Sequence, residues 1–186
     1  MKPILFVITG PSCAGKSTIA KEILTRGKID VVKFITTTTR PPRPHEQDGH
    51  DYWFVDGQTF KESVAKHEFY EWANVYGESY GSSTVEMDRL KAGEKDILMV
   101  IDIQGAKRMK ELEPDAIIIC INAPRHEIEE RLDSRGEDVN NPEERLKKIT
   151  QEQEYCQNAN FSLENGEGRL ESTVQEVESI IRKRLS

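Results

Sequence analysis

Residues 4–18 read ILFVITGPSCAGKST, and the change of character inside this stretch decides the fold. Ile4 to Ile8 is a continuous apolar run, the pattern of a strand buried on both faces in a parallel sheet. Gly10 to Ser17 then satisfies G-x-x-x-x-G-K-[ST], and a helical pattern follows from Lys16 to about Arg26. In that context the N–H groups of the loop and of the helix N-terminus point at a bound anion, which the helix dipole also favours. Lys16 adds a charge for the outer phosphates, and the Ser17 hydroxyl can sit on Mg²⁺. The expected occupant is a nucleoside triphosphate, held along Gly10, Pro11, Ser12, Cys13, Ala14, Gly15, Lys16, Ser17 and Thr18.

Two more continuous apolar runs, Ile97 to Ile101 and Ala116 to Ile121, are each followed by a turn and a helical pattern. The fold class this predicts is α/β, a P-loop NTPase core with a parallel sheet flanked by helices. Further helices are predicted over Phe60–Lys66, Ser83–Lys91, Ala106–Leu112, Arg125–Arg135, Pro142–Asn158 and Leu170–Leu185. The second run ends in Asp102. An acid at that place organises Mg²⁺ in P-loop enzymes, and it equally suits an N-cap for the helix that starts near Gly105.

Residues 34–83 differ in character. They are rich in β-branched and aromatic residues with Pro and Gly breaks, and read as a small, mostly β insertion. The polar GEDVNN at 136–141, between two helical patterns and flanked by arginines, reads as a lid. The expected division of a single domain is therefore a core (1–33, 84–124 and 159–186), an insertion (34–83) and a lid region (125–158).

Composition narrows the functions. The 186 residues carry 26 Lys and Arg against 33 Asp and Glu, a net charge of −7, which disfavours general nucleic-acid or anionic-membrane binding. The N-terminal apolar run is too short for a signal or a membrane span. Cys13, Cys120 and Cys156 form no CxxC pair, and the four histidines show no ligand spacing. Reduced thiols and a cytoplasmic protein are the expectation. Nothing in the sequence indicates an oligomeric state.

Beyond the loop, the chain resembles the guanylate kinase family nearly end to end. The resemblance rests on GPSCAGKST, TTTTRPPRPHEQDGHDYWFV, EWANVYGESYGSS, VIDIQGA, RLDSRG followed by ERL, and ENGEGRLE. It implies transfer of a phosphoryl group from ATP, with Mg²⁺, to GMP. It also implies that Arg40, Arg43, Tyr52 and Tyr80 grip the GMP phosphate, a task suited to guanidinium forks and phenol donors. Thr36, Glu71, Ser82 and Asp102 fall on the base-reading positions, and Asn165 on the adenine side. Lys16, Arg43, Arg131, Arg135 and Arg145 would neutralise the group in transit. Arg131 also stands four residues after Glu127, an ordinary helix pair.

Three positions depart from the family pattern: Cys13 replaces a glycine, tolerable only if that position has negative φ, His45 replaces another, and Val100 stands where a second acid is frequent. A guanylate kinase-like binding module is the rival of a different class, but such modules lose the loop lysine, which this chain keeps. A kinase for another acceptor would not need Glu71, Ser82 and Asp102 together, nor an ATPase the Arg40 and Arg43 pair.

Overall fold

The computed structural model describes residues 2–75, 77–134 and 142–185, without the side chains of 142–146 and 185. Five parallel strands form the main sheet in the order β2 (Val31–Lys33), β7 (Asp96–Val100), β1 (Leu5–Thr9), β8 (Ile117–Asn122), β9 (Phe161–Glu164). Helices cover both faces. Phe6 and Ile8 point into a core built with α1 (Lys16–Arg26), α5 (Arg125–Ser134) and α7 (Leu170–Leu185). Leu5 and Val7 point the opposite way, into a core with α3 (Thr84–Lys91) and α4 (Ile103–Leu112). Burial on alternate sides explains why β1 reads as an unbroken apolar run.

A second sheet, in the order β4 (Trp53–Phe54), β3 (Thr37–Thr38), β6 (Glu78–Ser83), β5 (Phe69–Val75), is built from the expected insertion, with α2 (Gly57–Ala65) between β4 and β5. Its β5–β6 and β3–β6 pairs are antiparallel and its β3–β4 pair is parallel. Among the described residues no helix is long and apolar enough to cross a membrane.

Three features depart from the sequence reading. Strands β2 and β9 escape the search for continuous apolar runs; β2 has only three residues, and β9 alternates half-buried with exposed positions. Helix α4 starts at Ile103 rather than Ala106, because Asp102 caps it. The expectation of reduced thiols is corrected at one pair: Cys120 of β8 and Cys156 of α6 (Pro142–Cys156) form a disulfide, with Cys13 outside the bridge.

Chain order places the site. From β1 the sheet grows in both directions, to β7 on one side and β8 on the other, and the carboxyl ends of strands at such a switch point border a crevice. Gly10 follows β1, Asp102 lies two residues beyond β7, Asn122 ends β8 and Asn165 follows β9.

Candidate active site

The turn after β1 has the backbone that its sequence demands. Gly10 has φ 137, and a Cβ there would lie 1.9 Å from the Ile121 carbonyl oxygen, so only glycine fits. Gly15 (φ 95) is the N-cap of α1 and offers no side-chain cap, nor does the first turn hold an acid. The positive end of α1 is therefore left for an outside anion.

The loop carbonyls are turned toward cations and amides. Lys16 Nζ donates to Gly10 O at 2.7 Å and Pro11 O at 2.8 Å. Arg131 Nη1 donates to Cys13 O at 3.2 Å, and Asn165 Nδ2 to Ala14 O at 2.9 Å. Holding the carbonyls this way leaves the concave side to N–H groups, the arrangement of an anion nest. Ser17 and Thr18 stand exposed on the first turn of α1.

Cys13 corrects an expectation. Its φ is 61, in the left-handed region that glycine favours and other residues adopt at a cost. His45 (φ 78) does the same in the second loop where the family pattern has glycine.

The second sheet carries the other cluster. Arg40 Nη2 donates to Glu46 Oε1 at 2.9 Å, its Cζ lies 5.5 Å from the centre of the Tyr52 ring, and its Nε is buried with no partner. Burial works against the Arg40 charge, but Glu46 and Tyr80 outweigh it and raise its pKa. Exposed Arg43 lies 4.0 Å from the same Glu46 carboxylate, which also accepts its backbone N–H at 2.7 Å. Tyr52 and Tyr80 meet edge to face at 6.2 Å, and burial, then the Tyr80 charge, pushes the Tyr52 phenol upward. The expected phosphate-gripping residues thus gather on one face, and Glu46, missed by the sequence reading, is the anion that now occupies the arginines. Its spacing, three residues after Arg43 and six after Arg40, is the signal that could have revealed it.

A bulge between Phe69 and Glu71 re-aims β5, and Glu71 pairs across the ladder with Ser82. Ser82 Oγ donates to Glu71 Oε1 at 2.5 Å, and both side chains are buried, Glu71 with 6% exposure and Ser82 with none. Gly105 makes room: a Cβ there would lie 3.3 Å from Glu71 Oε2. Burial raises the Glu71 carboxyl to about 7, against the Ser82 bond and with help from the Asp102 charge. Thr36 is buried just before β3.

Asp102 fills the capping alternative. Its Oδ1 accepts from Gln104 N at 2.6 Å and Gly105 N at 3.1 Å. Glu152 of α6 is a residue that the sequence reading did not single out, since an acid within a polar helix reads as solvated. Its Oε2 is buried with no hydrogen-bond partner. Burial raises its pKa, Lys16, Lys148 and the Ser12 N–H pull it back, and Asp102 pushes it up further. Lys16, Glu152, Asp102 and Glu71 thus form a chain of neighbouring charges from the loop to the second sheet.

Arg131 Nη2 pairs with Glu127 at 2.5 Å, so the i,i+4 pair forms while Nη1 stays on the loop. Arg135 and the side chain of Arg145 lie outside the described residues.

The profile of the family described as guanylate kinase matches residues 1–184. The chain belongs to the guanylate kinase family. A guanylate kinase of Nitrosomonas europaea is 39% identical over 180 residues, covering 96% of this chain and 88% of the relative. One of Clostridium perfringens strain 13 is 36% identical over 182 residues, covering 96% and 82%. A crystal structure of guanylate kinase from Anaplasma phagocytophilum superposes with a TM-score of 0.79 at 26% identity, covering 98% of this chain and 86% of that one. The Asn165 side chain, expected on the adenine side, is buried and bonded to the loop.

Proposed function

We propose that the chain transfers the γ-phosphoryl group of ATP to GMP, giving ADP and GDP, and accepts dGMP in place of GMP. The observation that carries this reading is the buried Glu71–Ser82 pair. Glu71 is a carboxylate in the interior whose nearest acid, Asp102, repels rather than compensates its charge, and such a group costs stability unless donors arrive. Guanine supplies two, N1–H and the 2-amino group, while its O6 accepts from a hydroxyl. Adenine has a bare N1 facing the carboxylate. Sites built on such donors reject analogues lacking them by roughly 10⁴ to 10⁵-fold. Thr36 lines the same end, and Asp102 keeps one oxygen for the helix cap and the other for the amino group.

Arg40, Arg43, Tyr52 and Tyr80 take the GMP phosphate, which displaces the Glu46 carboxylate from the two guanidinium groups. Gly10 to Thr18 take the ATP phosphates. The transfer asks for alignment and charge neutralisation rather than covalent work by the protein. Lys16 leaves the Gly10 and Pro11 carbonyls for the phosphates, and Arg131 leaves Cys13 O and Glu127. By family resemblance Arg135 and Arg145 join them from the lid region 125–158 as it closes over the core, excluding water.

The donor set suits Mg²⁺ brought in with ATP. No three His, Cys, Asp or Glu side chains gather into a metal cage among the described residues, whereas Mg²⁺ keeps several waters and needs only one or two protein ligands beside phosphates. Ser17 would bind it directly, and Asp102 with the unpartnered Oε2 of Glu152 would accept from its waters. The ion supplies charge neutralisation and phosphate alignment. We assign the reaction to purine nucleotide metabolism in the cytoplasm, where ATP is plentiful and where the Cys120–Cys156 bridge is an exception to the usual reduced state of thiols.

The test is ADP formation with Mg²⁺ and ATP plus GMP, dGMP, AMP, CMP or UMP in turn. Turnover is expected with GMP and dGMP only. ADP release that is independent of acceptor, or equal for AMP, contradicts the reading.

A further inference from the structure

We propose that Asn165 is a positioning residue for the triphosphate loop, acting through the backbone of Ala14 and Gly15 rather than through the adenine base. The inference rests on reading that loop as the ATP site.

Four observations converge on it. Asn165 is 6% exposed, and its Nδ2 donates to Ala14 O at 2.9 Å. The same Nδ2 lies 2.3 Å from where a Cβ on Gly15 would stand, so the amide occupies the space that the glycine leaves. Its backbone is fixed from both sides: its N–H donates to Asn122 O at 2.7 Å, and its carbonyl faces both Arg131 Nη atoms at 3.4 Å. Its Oδ1 is buried with no partner. Exchanging the two amide atoms would set Oδ1 against the Ala14 carbonyl, so the orientation is set chemically.

A buried polar atom left unpartnered costs stability, so this position tolerates an amide for what the Nδ2 holds. What it holds is an arc of left-handed backbone, Cys13 at φ 61, which is costly for a residue with a Cβ, and Gly15 at φ 95, which only glycine adopts freely. Strained conformations persist only where the surroundings over-determine them. Here Arg131 fixes the Cys13 carbonyl and Asn165 the Ala14 carbonyl, two successive carbonyls of the Cys13–Ala14–Gly15 turn. On triphosphate binding Arg131 is recruited to the phosphates, and Asn165 is then the side chain that keeps the carbonyls turned away from the anion.

The experiment separates loop support from base contact with a ligand that has no base. Binding of ATP, inorganic tripolyphosphate and GMP is measured by calorimetry for the wild type, Asn165→Asp and Asn165→Ala, alongside thermal melts. Loss of one loop-fixing hydrogen bond is expected to weaken ATP and tripolyphosphate by the same factor, about tenfold, and GMP not at all. Asn165→Asp, which sets an acceptor against Ala14 O, should be the worse of the two. The inference is overturned if ATP weakens while tripolyphosphate does not, which is a base contact; if neither changes; or if GMP falls in parallel, which is a general loss of fold. Wild-type protein that binds neither ATP nor tripolyphosphate removes the triphosphate reading, and this inference with it.

Discussion

Glu71 shows what a single buried carboxyl does to the whole protein. Its pKa is raised from the ordinary 4.5 to about 7, so between those values the folded state holds a proton that the unfolded state has lost. The contribution of Glu71 to stability therefore falls as pH rises from about 4.5 to about 7, by about 3 kcal/mol at most, and is flat above. Glu71→Gln is expected to flatten that slope in urea unfolding at a series of pH values. Guanine needs the ionised form, so GMP affinity should rise with pH up to about 7 in the wild type relative to Glu71→Gln. Cys13 makes a second argument at this scale. A β-branched residue is worse still at φ 61, so Cys13→Val should cost about 2 kcal/mol. Cys13→Gly should be near neutral, relieved strain offsetting the flexibility it adds to the unfolded chain. The role proposed for Glu71 comes from resemblance in the sequence, but its raised pKa could not be read there, because that depends on burial between β5, β6 and α4. Likewise the composition of the loop was legible and the sign of φ at Cys13 was not.

Elements were legible where one physical signal dominated. Strands β1, β7 and β8 announce themselves as apolar runs because both of their faces are covered. Strand β2 is too short and β9 too exposed on one face to do so. Helix α1 begins where the loop motif says it must, while α4 begins three residues before its apolar pattern suggests, since Asp102 caps it. The disulfide is the clearest case of hidden information. Cys120 and Cys156 are 36 residues apart, one in a buried strand and one at the end of a helix, and only the docking of α6 on β8 brings them together. Gln153 reinforces that docking through Asn122 and Ala123. In the chain-entropy model a loop of this size is worth about 4 kcal/mol. Cys156→Ala should therefore lose about 2–4 kcal/mol in urea unfolding, and thiol titration of the denatured protein should find one reactive thiol. Finding three would contradict the bridge.

Across the whole molecule, the parallel sheet delivers the cradle, Asp102, Asn122 and Asn165 to the same carboxyl edge, and the second sheet presents Glu71 and the arginines. The cradle names only a triphosphate; the base pocket and the arginine pair name the acceptor. The residues of both proposed halves could be named from the sequence, the first from a motif whose physics is local and the second from resemblance alone. Of the side chains that support these halves, Glu46 lies close in sequence to its arginines, whereas Glu152 and the amide of Asn165 were hidden because each meets the loop from a distant segment. The central claim is that the two halves work on one phosphoryl group. It is tested most directly with ATP labelled in its γ-phosphate, Mg²⁺ and GMP, by separating the products. The label should appear in the β-position of GDP in step with ADP, and Lys16→Ala should abolish it. Label appearing as inorganic phosphate, or moving equally to AMP, would contradict the account.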